Sequence, residues 1–463
     1  FCNYISEAAR IVEEGIATPA QVDKAINDAV GGGGPFNVMD LTVGNKLVVH
    51  CQELMRDGPR GSPWYAPPAI LGKQGNTPWH DPRKPADASL PDPTRKDIVD
   101  RMLAVLLARA FAVMDDKTCE PSDLNWLLRM SLGFDKGTLE LGEELGMDKV
   151  HALCSAYAAR HKGFPIPPSI EKKVAPKLVR DIRVEKDGDI ATVRVFRPEV
   201  RNALCARTLG EIKDAITALQ SDAAVKAIIL TSTDGAFAGA DINELAALKT
   251  PEDCEGICHK GHAILDVVAA SRKPVIAALD GPVLGGGAEL SMACHARVVG
   301  KALMLGQPEV DLGIIPGYGG TQRLPRLIGL ENAVGLLRGG KTADAATACK
   351  WGWAHGEPVA DVMAAARALA RSHIDGKAKL APVDPAPVAF RGALPPTDIG
   401  HRSLAVDAIL VDVLLRGLKL PLAEGLKVEA QGFGRCKRTV DMDIGMKNFV
   451  QNGPRVPALF LHE

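Results

Sequence analysis

The chain lacks an excess of either charge: 55 Lys and Arg stand against 56 Asp and Glu in 463 residues, a net charge of −1. Nucleic-acid backbones and anionic membrane surfaces select basic proteins, so neither is expected as a partner. A small anionic ligand needs only a few local cations and stays open. No apolar run is long enough to span a bilayer; the stretch Met102 to Met114 is broken by Arg109. No basic-then-apolar leader opens the chain. The 10 cysteines are strewn from Cys2 to Cys436, without the dense spacing of a disulfide scaffold. That reads as reduced thiols in a cytoplasmic setting. Also missing is any G-x-G-x-x-G run after a strand, the fingerprint of a dinucleotide site; Gly31 to Gly34 follow a helix instead. An initiating Met is lacking too. Phe1-Cys2-Asn3-Tyr4-Ile5 enters a helical pattern at once, and the chain reads as a piece cut from within a larger polypeptide.

What is there begins with helices. The pattern predicts a helix over 4–14 stopped by Gly15. A second follows Thr18-Pro19, with Pro in the first turn where its missing N–H costs nothing. Gly31 to Gly34 end it, and Pro35-Phe36-Asn37-Val38-Met39-Asp40-Leu41 starts a third. The same order returns later: a helix over 101–116, a restart at Glu120-Pro121, a break at Gly133 to Gly137, and a continuation to Gly146. Pro19 and Pro121 lie 102 residues apart, as do Gly44 and Gly146. Two degenerate copies of one helical unit are expected, at 1–56 and 97–162. A Pro- and Gly-rich connection over 57–96, anchored by Trp64, Tyr65 and Trp79, joins them. A linker over 163–177 closes this half.

From 178 to 463 the period changes. Ile182-Arg183-Val184 and Ala191 to Val195 alternate like strands around Asp187-Gly188-Asp189. Helix, strand (225–231), helix (251–270) and strand (275–279) follow, an order that argues for a layered α/β domain. From Glu331 onward the chain reads as mostly helical, with breaks near 380–400, 420 and 454.

Two glutamates stand in unusual company. Glu289 closes Gly285-Gly286-Gly287-Ala288-Glu289, and Glu309 closes Gly306-Gln307-Pro308-Glu309. Pro316-Gly317-Tyr318-Gly319-Gly320-Thr321-Gln322-Arg323 comes soon after. Paired carboxylates beside bare backbone suit proton transfer to and from a substrate that develops an oxyanion. The strand-to-helix turns at Gly285 to Gly287 and at Gly239-Ala240-Asp241 would each aim N–H groups at one point. Read alone, either glycine turn is equally well mere punctuation. Cys254, Cys258, His259 and His262 lie at helical spacing. Three of them share a face, whereas closed metal sites draw ligands from separate turns, so no metal is assigned. Trp351 and Trp353 read as packing a helix end.

The stretches F-R-P-E-V-R-N-A-L (196–204), A-F-A-G-A-D-I (236–242), G-P-V-L-G-G-G-A-E-L (281–290) and G-Q-P-E-V-D-L-G-I-I-P-G-Y-G-G-T-Q-R-L (306–324) resemble the crotonase (enoyl-CoA hydratase/isomerase) family. That resemblance implies a layered ββα spiral fold with a helical C-terminal tail over 178–463. It implies oxyanion donors at the Ala240 and Gly286 N–H groups and catalytic carboxylates at Glu289 and Glu309. Gly317 would position the attacking water, and Ala203, Leu204 and Asp241 would contact the CoA part of the substrate. Trimers or pairs of trimers, with tail helices covering neighbouring sites, come with the resemblance. The run Phe237-Ala238-Gly239-Ala240 is one residue shorter than the family's usual loop. Residues 1–170, through E-A-A-R-I-V-E-E-G-I-A-T-P-A-Q-V-D-K-A-I and G-P-F-N-V-M-D-L, resemble the all-α C-terminal domain of 3-hydroxyacyl-CoA dehydrogenases. The order of the two parts is similar to fused β-oxidation enzymes.

The activity implied is hydration of a trans-2-enoyl-CoA, without a cofactor. NAD is expected only for a dehydrogenase nucleotide-binding domain that would lie upstream of Phe1. Asn3 is out of register with that enzyme's active-site Asn and takes no role. Isomerisation between 3-enoyl and 2-enoyl thioesters, which needs one carboxylate, and a non-catalytic CoA-thioester-binding module stand as alternatives.

Overall fold

The computed structural model describes residues 1–81, 83, 87–390 and 392–463. The chain divides into two units, Phe1–Arg180 and Asp181–Glu463.

The first unit contains the repeat. Helices Cys2–Glu13, Pro19–Val30, Pro35–Thr42 and Asn45–Asp57 are followed, in the same order, by Asp92–Asp115, Pro121–Leu132, Thr138–Leu145 and Met147–Arg160. Thr18 and Gln21 close a capping box at Pro19–Val30, satisfying donors that a helix start leaves free. The repeat is also written in side chains. The Asp23 carboxylate accepts the N–H groups of Phe36 (2.8 Å) and Asn37 (2.9 Å). Asn125, 102 residues on, accepts the Glu140 N–H at 2.9 Å. Each side chain thus caps the next helix of its own copy from a distance. The copies meet where Gly31 pairs antiparallel with Phe134.

The central helix begins at Asp92, not at 101. Pro91 and Pro93 mark a helix start, which the proline-rich composition of the segment disguises as loop. Residues 101 to 108 of this helix are all buried, as an element packed on every side must be. The predicted connection is therefore shorter. It also contains a single turn at Pro63–Tyr65 and a helix at Ala69–Gln74. Trp64 and Tyr65 are buried, and Trp79 packs 4.6 Å from Phe36. Its positions Pro82, Lys84, Pro85 and Ala86 lie outside the described residues, as does Arg391 in the predicted 380–400 break.

Among the described residues of the second unit, eight strands form two sheets: β1 (Ile182–Asp187), β2 (Ile190–Val195), β3 (Ala227–Ser232), β4 (Val275–Leu279), β5 (Pro282–Leu284), β6 (Ala296–Val299), β7 (Met304–Gly306) and β8 (Thr342–Asp344). The larger sheet runs β1-β2-β3-β4-β6, the smaller β5-β7-β8. β1 and β2 form an antiparallel hairpin with Ile182 opposite Val195. β2, β3, β4 and β6 are parallel, with Ile229 beside both Thr192 and Ile276. β3 and β4 are buried throughout, which explains their unbroken apolar sequence. Helix Val362–Ile374 covers one face through Ala366 and Ala370.

Three tail helices, Leu404–Gly417, Leu422–Cys436 and Val440–Asn452, fold back on their own unit. Leu422–Cys436 packs along Pro251–Ala269, and Val440–Asn452 packs on Pro308–Leu312. No helix among the described residues is long and apolar enough to cross a membrane.

Candidate active site

Both glutamates follow strands of the small sheet. β5 and β7 are parallel with Leu284 beside Gly306, and the Gly285 N–H donates to the Gly306 carbonyl at 3.0 Å. The chain therefore leaves both strands at one place. From β5 it enters helix Gly286–Ala293, which carries Glu289; from β7 it enters the turn Pro308–Leu312, which carries Glu309. The helix starts on the glycines themselves. Gly285 sits at φ +48°, and a Cβ there would come within 2.7 Å of Glu309 Oε1. Only a bare backbone leaves that carboxyl its space.

Both acids are shielded from bulk solvent. Glu289 is 2 % exposed and Glu309 8 %. Glu289 Oε1 accepts the N–H groups of Tyr318 (2.8 Å) and Gly320 (2.6 Å). With its amide nitrogen turned inward, Gln307 donates to Glu309 Oε1 and Oε2 at 3.0 and 3.1 Å. Burial pushes the Glu309 carboxyl up to about 8, and the charge of Glu429 adds to the effect. Glu289 is also raised far above the usual carboxylate range, first by burial and then by the charges of Glu309 and Glu429. The Gly320 and Tyr318 N–H groups work against that shift.

The two expected oxyanion donors lie in apposed backbone. The loop at 237–240 is short, yet it is held at both ends: Phe237 bridges Val283, and Ala240 bridges Leu204. Leu204 N–H donates to Gly239 O (2.8 Å) and Asp241 N–H to Leu204 O (2.9 Å), which leaves the Ala240 N–H out of the ladder. A Cβ on Gly286 would lie 3.2 Å from Ala240 N. Gly239, at φ +107°, lets this loop turn so close. As the first residue of its helix, Gly286 has an N–H with no partner within it. Neither donor is engaged by another described residue.

The expected CoA contacts cluster beside this hole around Arg197, which sequence reasoning had assigned no role. Arg197 donates to the Ala203 carbonyl (2.7 Å) and to Asp241 (3.2 Å), and Asp241 caps helix Ile242–Ala246. Leu245 and Ala246 of that helix line a cavity of about 270 Å³ with Met442 and Met446 of the tail. A larger cavity, about 590 Å³, lies in the helical unit among Tyr4, Leu106, Arg109 and Leu132, and holds none of these residues.

Gly317 precedes the two N–H groups that hold Glu289, and its Cα faces Cys258 and Phe433. The expected helical row Cys254, Cys258 and His262 is buried. His262 gives Nε2 to Glu429 at 2.9 Å, a partner that sequence reasoning missed. Trp353 is fully buried just beyond helix Ala345–Lys350, and Arg297 stacks 5.6 Å from its ring.

The sequence profile of the enoyl-CoA hydratase/isomerase family matches residues 185–384. That of the C-terminal domain of 3-hydroxyacyl-CoA dehydrogenase matches 1–79 and 98–188. The chain is 35 % identical over 273 residues to the crotonyl-CoA hydratase of Syntrophomonas wolfei, covering 58 % of this chain and 95 % of that one. It is 34 % identical over 278 residues to the short-chain-enoyl-CoA hydratase of Clostridium acetobutylicum, covering 59 % and 95 %. With the fatty acid oxidation complex subunit alpha of Shewanella loihica it shares 34 % identity over 272 residues, 54 % of this chain but 38 % of that longer one. The chain belongs to the enoyl-CoA hydratase/isomerase family. Ahead of that unit it carries the helical C-terminal domain of a 3-hydroxyacyl-CoA dehydrogenase, a pairing of the kind found in fatty acid oxidation complex alpha subunits.

Proposed function

We propose that the second unit adds water across the trans-2 double bond of an enoyl-CoA thioester, with Glu289 and Glu309 as its acid–base pair. The thioester oxygen sits between the Ala240 and Gly286 N–H groups, which hold the negative charge that grows there as water attacks. Water is held between the two carboxyls and the Gly317 N–H. Glu289, whose ionised form two backbone donors favour against the larger opposing effect of burial, takes a proton from water as the oxygen bonds to C3. Glu309, whose raised pKa keeps it protonated near neutrality, delivers a proton to C2. The product gains one water and both acids recover by exchanging a proton. Ala203, Leu204 and Asp241 face the CoA moiety, and the cavity lined by Leu245 and Met446 takes part of the thioester's chain.

The observation that carries this reading is the pair of buried carboxyls on exits from adjacent parallel strands, beside two uncommitted N–H groups. The steps use no cofactor. Among the described residues the helical unit contains no strand leading through glycines into a helix, so nothing there fits NAD, and no step is routed through it. Ten free thiols suit a cytoplasmic setting. Assembly as a trimer or pair of trimers accompanies the reading.

Absorbance loss on crotonyl-CoA tests the reaction directly. Hydration of the 2-enoyl thioester should outpace conversion of the 3-enoyl isomer. Faster isomerisation would assign the site to the isomerase branch, and tight CoA-ester binding without turnover would reduce it to a binding module.

A further inference from the structure

The turn that holds Glu289 is gripped from its other side by a third buried carboxylate. Along Tyr318 to Thr321 the backbone N–H groups alternate in direction. Those of Tyr318 and Gly320 go to Glu289, as above. Those of Gly319 and Thr321 go to Glu429, at 2.6 and 2.9 Å. Glu429 is fully buried on the tail helix Leu422–Cys436. It also accepts the Thr321 hydroxyl at 2.6 Å and faces His262 Nε2 at 2.9 Å. Each oxygen thus has two partners, which fills the acceptor capacity of a carboxylate. Arg323, the cation on the same turn, is engaged elsewhere, with Tyr318 O (2.9 Å) and Asp266 (3.0 Å). A buried polar group this fully matched fixes the geometry of whatever it binds.

We propose that Glu429, steadied by His262, is a positioning residue: it clamps the Gly319–Thr321 backbone so that the Tyr318 and Gly320 N–H groups aim at Glu289. The inference rests on the hydratase reading for its kinetic consequence, but not for its structural one. An amide at this position would keep the shape while turning one acceptor into a donor facing donors. The carboxylate also adds negative charge to the site. Charge of this sign is among the causes that raise both Glu289 and Glu309. The other ionisable groups around it are His262 and Cys258 on Pro251–Ala269, Glu289, Glu309 and Arg323.

The experiment compares the full chain with Glu429→Gln, His262→Gln and His262→Ala, by crotonyl-CoA kinetics against pH and by amide hydrogen exchange over 316–322. Glu429→Gln should lower kcat by about 10- to 100-fold, less than the ~10²–10⁴ that loss of a general acid or base costs, with KM within about threefold. The alkaline limb of kcat should move to lower pH, and exchange over 316–322 should speed up at least about tenfold. His262→Gln, which can still donate to Glu429, should retain more turnover than His262→Ala. Unchanged kcat, pH limb and exchange would overturn the proposal. So would equal losses in kcat and binding, the mark of general loosening. If Glu429→Gln does not fold, Thr321→Val removes a single donor to Glu429 and should reproduce the changes in milder form; no change would refute the clamp. If the unaltered chain shows no hydration, the hydratase reading fails, while hydrogen exchange over 316–322 still decides the clamp.

Discussion

Glu309→Gln should separate the chemistry of this carboxyl from its effect on stability. The acid's pKa rises from an ordinary 4.5 to about 8 in the folded protein. Between those values the folded state keeps a proton that the unfolded chain releases, so stability falls as pH rises through the window. At about 1.4 kcal/mol per pH unit, the whole interval is worth about 5 kcal/mol, an upper bound because a pocket relaxes around a new charge. Gln mimics the protonated acid at every pH and removes this loss. Relative to the unaltered chain, the variant should therefore gain stability steadily from about pH 5 to about pH 8, then level off. Over the same range kcat should be lower by about 10²–10⁴, the usual weight of a general acid. Urea unfolding of the second unit across a pH series measures the first effect, and crotonyl-CoA turnover the second. A stability difference that stays flat over this range would refute the buried, protonated Glu309. Near-normal turnover would remove it from the reaction.

Glu289→Gln should cost a similar factor in kcat, with CoA-ester binding retained and the circular dichroism spectrum unchanged; loss of both binding and fold would contradict its assignment as base. Gly287→Ala would push a Cβ to 2.4 Å from the Phe237 Cβ, driving apart the two backbones that supply Ala240 and Gly286. A loss of about 1–3 kcal/mol is expected from overpacking, together with a larger fall in kcat than in affinity, read by calorimetry and initial rates. In the helical unit, Asp23→Ala and Asn125→Ala should each cost about 1–2 kcal/mol as lost caps. Denaturation midpoints of the two variants check this, and a midpoint shift in only one would undo the equivalence of the repeats. Glu7 is fully buried between Arg101 and Tyr157. Arg101 keeps its pair with Glu14, so Glu7→Ala should cost about 1–3 kcal/mol by leaving Arg101 Nε and the Tyr157 hydroxyl without their buried acceptor, measured the same way.

Much of this was legible in the sequence where a short-range rule applied. The apolar runs of β3 and β4, the Pro and Gly helix boundaries that recur 102 residues apart, and the glycine-to-glutamate motifs each rest on a few neighbouring residues. Other features were hidden for physical reasons. Pro91 and Pro93 open a helix, yet prolines in a row look like a loop until the packing that surrounds the helix is known. β7 and β8 span three residues each, too few to show alternation. The helix at Gly286 begins on residues of poor helical propensity because the strand before it fixes its start. Glu429 was the hardest to foresee. A lone acid in a tail helix reads as solvated surface, and its partner Thr321 lies 108 residues away.

The way the tail returns to its own unit bears on how damaged copies could help each other. The helix bearing Glu429 and the turn bearing Glu309 belong to one chain, so the clamp and the acid of a given site come from the same polypeptide. Two copies impaired at these different positions, Glu309→Gln and Glu429→Gln, should therefore not rescue one another when co-expressed, however many subunits assemble together.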